Sequence, residues 1–508
     1  MDAAPDPLAS VDQSSPPAAR RLVLELALEP EEARRLPRLL HGSGSASATA
    51  LRLIWHDSPE FALAADGRAL VEHRRGRRST WRLERLTGEA TAALSSLVAP
   101  HPALAEGSEP AALDAALPAP LVPLVRFAGR VRTFGAPDGV EVAVLAGTLH
   151  VSAASRRCCR AVLAGPAGAV AELADRLAAR LHLSVPAAPL AAEALVLAGR
   201  QPPRRRRASP APPPDHPVGE AFAFLLGRFA EILLREAAQA GPAVSEPVHQ
   251  MRIALRRLRS AIGLFDRAIR CPELAAGKAG LRLLGSALGP ARDWDVFVGA
   301  TGRAVAVAFA DDRRVQRLLR AAERHRLAAY ATLQHYLASA EFRRMITGLA
   351  VLAKARPWEA AGLVGDAEAA RRAELQTAPL ASFAARALER RLRRLHSALD
   401  GDVETSPAET LHRLRLSGKR LRYAAEFFVP LFSGRGARRF VRRLATLQEH
   451  LGHLNDARVA ANLMAELAPA HGYAGGIVRG FVAARSPGTR EQVSRAWRKF
   501  HRLDPFWN

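Results

Sequence analysis

The sequence predicts a two-part chain: an α+β domain dominated by antiparallel strands and barrel-like in character, then an all-α helical bundle. Three observations predict it. Short strand-like runs separated by turn residues fill the first 200 residues. Gln201 to Pro217, reading QPPRRRRASPAPPPDHP, holds too many prolines for helix or sheet and reads as an extended, semi-rigid linker. Beyond it apolar residues recur every three or four positions, the period of an amphipathic helix, with no strand pattern. A chain of 508 residues, 49% apolar and 24% charged, is too long for one core and is globular in composition.

Residues 1–20 are acidic and rich in Pro and Ser, so disorder is expected there, and they lack the pattern of a secretory signal. In residues 21–200, Leu22 to Leu28 predicts a strand and Pro30 to Leu40 a short helix. Further strands are expected at Ala50–Trp55, Ala69–Arg74, Ser79–Leu86, Val140–Leu145 and Thr148–Ser152, and a helix at Ala167–Leu183. In residues 218–508 the clearest helices are Val315–Leu337 and Leu380–Leu399. Cys158, Cys159 and Cys271 have no metal-ligand spacing, so neither a disulfide framework nor a zinc site is expected. No apolar run approaches the ~20 residues of a spanning helix, and a cytoplasmic location is expected.

Charge is unevenly placed. The formal net charge is +24. Residues 1–220 hold 26 Lys and Arg against 23 Asp and Glu, whereas residues 221–508 hold 47 against 26. The helical half therefore calls for an acidic partner: nucleic acid, an anionic membrane or a phosphate polymer. An arginine-rich composition can also be mere solubilising surface, so the positions must decide.

The positions repeat. Val248 to Phe265 (VHQMRIALRRLRSAIGLF) and Leu411 to Phe428 (LHRLRLSGKRLRYAAEFF) align at an offset of 163 residues, from His249 to His412. Leu288, Gly289, Asp293 and Val296 match Leu451, Gly452, Asp456 and Val459 at the same offset. A duplicated unit with pseudo-two-fold symmetry follows, its halves near 218–380 and 381–508. At ~100° per residue, His249, Arg252, Arg256 and Arg259 share one stripe, while Met251, Leu255, Leu258, Ile262 and Phe265 lie opposite. His412, Arg415, Lys419 and Arg422 repeat the stripe against Leu414, Leu421, Ala425 and Phe428. Arg257 and Arg420 flank it.

Like charges on successive turns destabilise a helix by ~0.2–0.5 kcal/mol per pair. No compensating acid is evident on either helix, so the arrangement points to an anion, and arginine forks suit phosphate oxygens. The histidines fit a hydrogen bond to phosphate better than a metal site, since no cysteine or carboxylate accompanies them. Leu-Gly before each Asp reads as a helix ending, with the Asp capping or pairing with an arginine. Lys278 with Arg282, and Arg438, Arg439, Arg442 and Arg443, are secondary basic candidates.

These residues resemble the CHAD family, the conserved histidine α-helical domain. The likeness runs from about Val218 to Asn508. It rests on both H-x-x-R-x-x-x-[RK]-R-x-R segments, both Leu-Gly…Asp segments and the ending at Trp497, Arg498, Lys499 and Phe500. The resemblance implies a pseudo-symmetric bundle that binds inorganic polyphosphate, often at polyphosphate granules. It places binding on His249, Arg252, Arg256, Arg257, Arg259, His412, Arg415, Lys419, Arg420 and Arg422. No cofactor or metal is expected.

Residues 21–200 resemble the CYTH or triphosphate-tunnel domain, through Leu26 to Pro30, Trp55 to Leu63 and Gly67 to Leu70. That resemblance implies an antiparallel barrel hydrolysing triphosphates with metal-binding glutamates. Here the family's E-x-E-x-K falls on Arg21, Val23 and Glu25, and its L-R-x-R on Leu70 to His73. Glu141 remains, but Leu145 and Ala161 replace the later carboxylates. A divalent cation needs several carboxylate oxygens, so this domain is expected to be catalytically dead. The alternatives are a divergent triphosphatase using Glu25 and Glu141, and nucleic-acid binding. The latter is disfavoured because few aromatics accompany the basic residues, Tyr423 being the exception.

Overall fold

The computed structural model describes residues 21–40, 47–75, 78–86, 106–107, 109–110, 113–114, 117–152, 154–186, 188–200, 211–361, 367–399, 401–432, 434–467, 472–484 and 489–507. Residues 1–20, expected to be disordered, and the Arg204–Arg207 run lie outside these. The chain divides into two compact units, 1–204 and 205–508.

The first unit is one antiparallel sheet of β1 (Arg21–Leu28), β2 (Ser47–Asp57), β3 (Arg68–Arg75), β4 (Arg78–Arg85), β5 (Glu106–Gly107), β6 (Val122–Ala136), β7 (Val140–His150), β8 (Ser155–Pro166) and β9 (Leu183–Ser184). Their order is β5-β4-β3-β2-β6-β7-β8-β1-β9. Helices α1 (Pro30–Leu39), α2 (Ala62–Ala65), α3 (Ala167–Arg180) and α4 (Leu190–Leu197) accompany it. The expected strands fall at β1 to β4 and β7, the last running unbroken to His150. β6 and β8 were not anticipated, because arginines interrupt their apolar runs. On β6 the pleat resolves this: Val125, Phe127 and Val131 are buried while Arg126 and Arg130 face out.

Alternation assigns the two faces. Leu22, Leu24, Leu26 and Leu28 are buried on the side covered by α1 and α3. The opposite face carries Leu53, Trp55, Val71, Phe127 and Leu145, packed with α4. The sheet curls without closing. The edge strands β5 and β9 are two residues each and pair only with β4 and β1, too short to carry a ladder across the seam. The expected barrel is therefore an open, rolled sheet. Glu84 on β4 is raised to about 8 by burial, with Arg82 opposing and Glu25, from β1, adding to the rise.

The second unit is helical: α5 (Val218–Ala237), α6 (Glu246–Ile269), α7 (Pro272–Val296), α8 (Arg303–Ala308), α9 (Arg313–Leu337), α10 (Ala340–Ala355), α11 (Pro357–Ala361), α12 (Ala367–Thr377), α13 (Leu380–His396), α14 (Ala408–Phe428), α15 (Arg435–Leu467), α16 (Gly472–Ala484) and α17 (Thr489–His501). A π-helical turn, Phe297–Gly302, links α7 to α8. Among the described residues the only β pairing here is two isolated bridges, one joining Pro217 to Pro379.

The repeat is physical. Helices α5, α6 and α7 stand at the positions of α13, α14 and α15 in the second copy. Prolines open α6 and α7, where a missing N–H costs nothing, and acids occupy their first turns. Both copies share one core. Phe265 and its counterpart Phe428 approach to 6.1 Å, and Phe383 stacks on Phe265 at 5.0 Å. No helix is long and apolar enough to cross a membrane among the described residues. Phe265→Ala is expected to destabilise this unit by about 3–5 kcal/mol in urea unfolding followed by circular dichroism. A loss under about 1 kcal/mol would show that the ring does not join the copies.

Candidate anion-binding site

The amphipathic split of α6 and α14 holds. Met251, Leu255, Leu258, Ile262 and Phe265 are buried, as are Leu414, Leu421, Ala425 and Phe428. On the other side Arg256, Arg259 and Arg420 are exposed, and His249, Arg252, His412, Arg415, Lys419 and Arg422 are half-buried.

The repeat-related Arg252 and Arg415 both reach across to the next helix of their copy. Arg252 pairs with Asp293 of α7 at 3.6 Å. Arg415 donates from Nε to the Leu451 carbonyl of α15 at 3.1 Å. The expected helix endings at Leu-Gly are corrected here: Gly289 and Gly452 lie inside α7 and α15. Arg252 passes beside Gly289, where a Cβ would stand 3.4 Å from its Nη1, at ordinary contact distance. Asp293 is thus a partner for arginine, not a cap; the side chain of Asp456 lies outside the described residues.

Burial draws Arg252 below the ordinary arginine range, opposed by Asp293 and reinforced by Arg256 and Arg292. Burial also lowers His249, with Arg292 next in effect, Glu246 opposing, and Arg256 and Arg252 adding to the fall. The imidazole is therefore neutral at pH 7, an unprotonated ring among arginines.

The copies meet at a junction that changes the role of one expected residue. Arg257 is buried, pairs with Glu426 of the other copy at 2.8 Å and lies 5.4 Å from the Phe427 ring. It holds the halves together and does not face solvent. Glu426 also accepts from Nε of Arg422 at 2.8 Å, one turn back on α14. A compensating acid is therefore present on one helix after all; the first copy has Gly263 at that position. Arg256 lies 5.5 Å over Tyr423, a second link between the copies that leaves its guanidinium at the surface.

Sequence reasoning missed a cluster beside Arg420. Arg391 on α13 is drawn down to about 10 by burial and by Arg390, Arg394 and Arg420. Its first-copy counterpart Arg228 pairs with Glu231, whereas the position equivalent to Glu231 is Arg394. Comparing the copies position by position reveals this loss of an acid. Of the secondary candidates, Lys278 is bound to Asp266 at 2.9 Å and Arg282 is exposed. Among the described residues no group of three or more His, Cys, Asp or Glu could hold a metal.

In the first unit the acids are occupied. Glu25 is buried and bonds Arg160 at 3.2 Å, and Arg160 reaches Glu193 at 2.6 Å. Glu141 lies at the rim, 3.5 Å from Arg21.

Residues 223–465 match the family model described as the CHAD domain. No family match identifies the first unit as CYTH-like. The crystal structure of the CHAD domain from the plant Ricinus communis is 28% identical with a TM-score of 0.48, covering 59% of this chain and 97% of that one. PptA from Streptomyces chartreusis is 20% identical with a TM-score of 0.39, covering 56% and 99%. A search of curated proteins found no match.

Glu426→Gln leaves Arg257 buried without its counter-charge and is expected to cost about 3 kcal/mol in chemical unfolding. Arg256→Ala is expected to leave the midpoint nearly unchanged. Equal effects would place Arg257 at the surface.

Proposed function

We propose that the helical unit binds inorganic polyphosphate without transforming it, through the repeat-related stripes of α6 and α14. The observation that carries this reading is the doubled stripe itself, with its exposed arginines and its two arginines anchored at equivalent positions. Arg256, Arg259 and Arg420 stand ready for phosphate oxygens, while Arg252 and Arg415 are held in place by the neighbouring helices. Arginines pre-positioned in this way lose little entropy on binding. The CHAD match supports the same ligand, because the resemblance implies polyphosphate. Association with polyphosphate granules, within the cytoplasm, belongs to the same proposal.

Affinity arises from charge neutralisation and release of counterions, so it falls as salt rises. His249 adds a pH dependence. A phosphate polymer beside the neutral imidazole favours its protonated form, so binding takes up a proton and strengthens as pH falls from 8 toward 6.

The first unit is proposed to be non-catalytic. Glu25 is buried against Arg160, and neither it nor the exposed Glu141 belongs, among the described residues, to a group of three or more acids, histidines or cysteines that could hold a divalent cation.

Charge reversal at Arg252, Arg256, Arg415 and Lys419 is expected to weaken polyphosphate binding far more than reversal of Arg204–Arg207, read by titration at several salt concentrations. Equal losses would mean that charge acts diffusely and would remove the site. The gain in affinity between pH 8 and pH 6 is expected to shrink in His249→Gln; an unchanged gain excludes that ring. With magnesium and tripolyphosphate, phosphate release is expected to stay at background. Release that disappears in Glu25→Gln would establish a triphosphatase instead.

A further inference from the structure

A second cationic surface lies apart from the stripes. Between α15 and α17 run two adjoining hollows of about 310 and 430 Å³, both lined by Arg443, Arg495 and Lys499. Arg439, Arg498 and Arg502 complete the larger one, and His450 closes the end of the smaller. Arg439, Arg498, Lys499 and Arg502 are exposed and Arg443 is half-buried. Among the described residues none of these five has a carboxylate within 4 Å; only Arg495 does, pairing with Glu491 at 3.3 Å. The walls are fixed from behind, where Phe440 of α15 meets Phe500 of α17 at 5.0 Å.

The duplication provides an internal control. On α7 the positions equivalent to Arg439, Arg443, Thr446 and His450 are Ala276, Gly280, Leu283 and Ala287. There Gly280 is pressed against Met345 of α10 and Gly277 lies within reach of Leu349 and Leu352, while Ala276 and Leu283 are exposed and carry no charge. One copy thus has only small or apolar residues where the other sets Arg439, Arg443 and His450 along a groove. A general preference for arginine does not explain a difference between equivalent positions. The groove is also turned away from α14: Gln448 and Leu451, which bond Arg415, lie ~80–140° around α15 from Arg443.

We propose that the α15–α17 groove is a second binding site for a linear phosphate polymer, separate from the stripes on α6 and α14. The proposal rests on the polyphosphate reading and extends it. Unpaired guanidiniums on facing walls suit a ligand with anionic oxygens along its whole length. A nucleic-acid strand fits less well, because no Trp, Tyr or Phe lines the groove; Trp497 and Phe500 are turned toward His396 and Phe440. Two sites on one unit make binding depend on polymer length, since a chain that reaches both gains avidity over one that fills a single site.

The test uses the full chain in four forms: unchanged; with Arg252, Arg256, Arg415 and Lys419 changed to Glu; with Arg439, Arg443, Arg498 and Lys499 changed to Glu; and with both sets. Each is titrated with long-chain and short-chain polyphosphate at fixed salt, and circular dichroism checks the fold. Gln replacements at Arg443 and Lys499 serve as a milder second variant. The groove set is expected to lower long-chain affinity at least about tenfold and short-chain affinity much less. The stripe set is expected to keep residual long-chain binding that disappears in the combined form. If the groove set binds both polymers like the unchanged chain, the second site does not exist. If the stripe set alone binds normally while the groove set does not, the stripe reading fails and the groove stands. Absence of binding by the unchanged chain overturns both.

Discussion

Glu426 joins two arginines that belong to different copies of the repeat, and the cationic face depends on that arrangement. Arg257 enters from α6 and Arg422 from α14, and both end at one carboxylate that the first copy lacks. Behind it Phe265 and Phe428 meet in a shared core. The charged groups are thus held by burial and one carboxylate beneath them, while the guanidiniums of Arg256, Arg259 and Arg420 have no acid within ion-pair distance among the described residues. Repulsion along the stripes is an expense in stability that the core absorbs, leaving a surface predisposed to an anion.

The two units treat buried charge differently. In the rolled sheet, acid and base neutralise each other: Arg160 is shared between Glu25 and Glu193, and Glu72 takes His56 and Arg74. Glu84, raised to about 8, carries little charge at neutral pH. An interior settled in this way has little free charge with which to draw in a highly anionic substrate. In the helical unit the excess is displayed, and it is greater in the second copy, where Arg394 replaces an acid and Arg439 and Arg443 replace small residues.

Much of this was legible in the sequence. The 163-residue offset predicted matched helices, and helical periodicity assigned the apolar faces of α6 and α14 correctly. What escaped depended on tertiary contact. Arg257 reads as a flanking surface cation until Glu426 arrives from another helix. Leu-Gly reads as a helix stop, yet Gly289 and Gly452 lie within α7 and α15. β6 was hidden by outward arginines and β8 by the exposed Arg156 and Arg157 and the buried Arg160, and closure of the barrel depended on edge strands too short to join. The groove could have been found by asking where the copies differ; attention to where they agree concealed it.

The central claim is that the doubled stripes form a shaped site and not a generic basic surface. The most direct measurement is a salt-dependent titration of the full chain with long-chain polyphosphate and with duplex DNA at equal phosphate concentration. Polyphosphate binding that is far tighter and persists at physiological salt is the predicted result. Equal affinities for both polymers, erased together as salt rises, would contradict it.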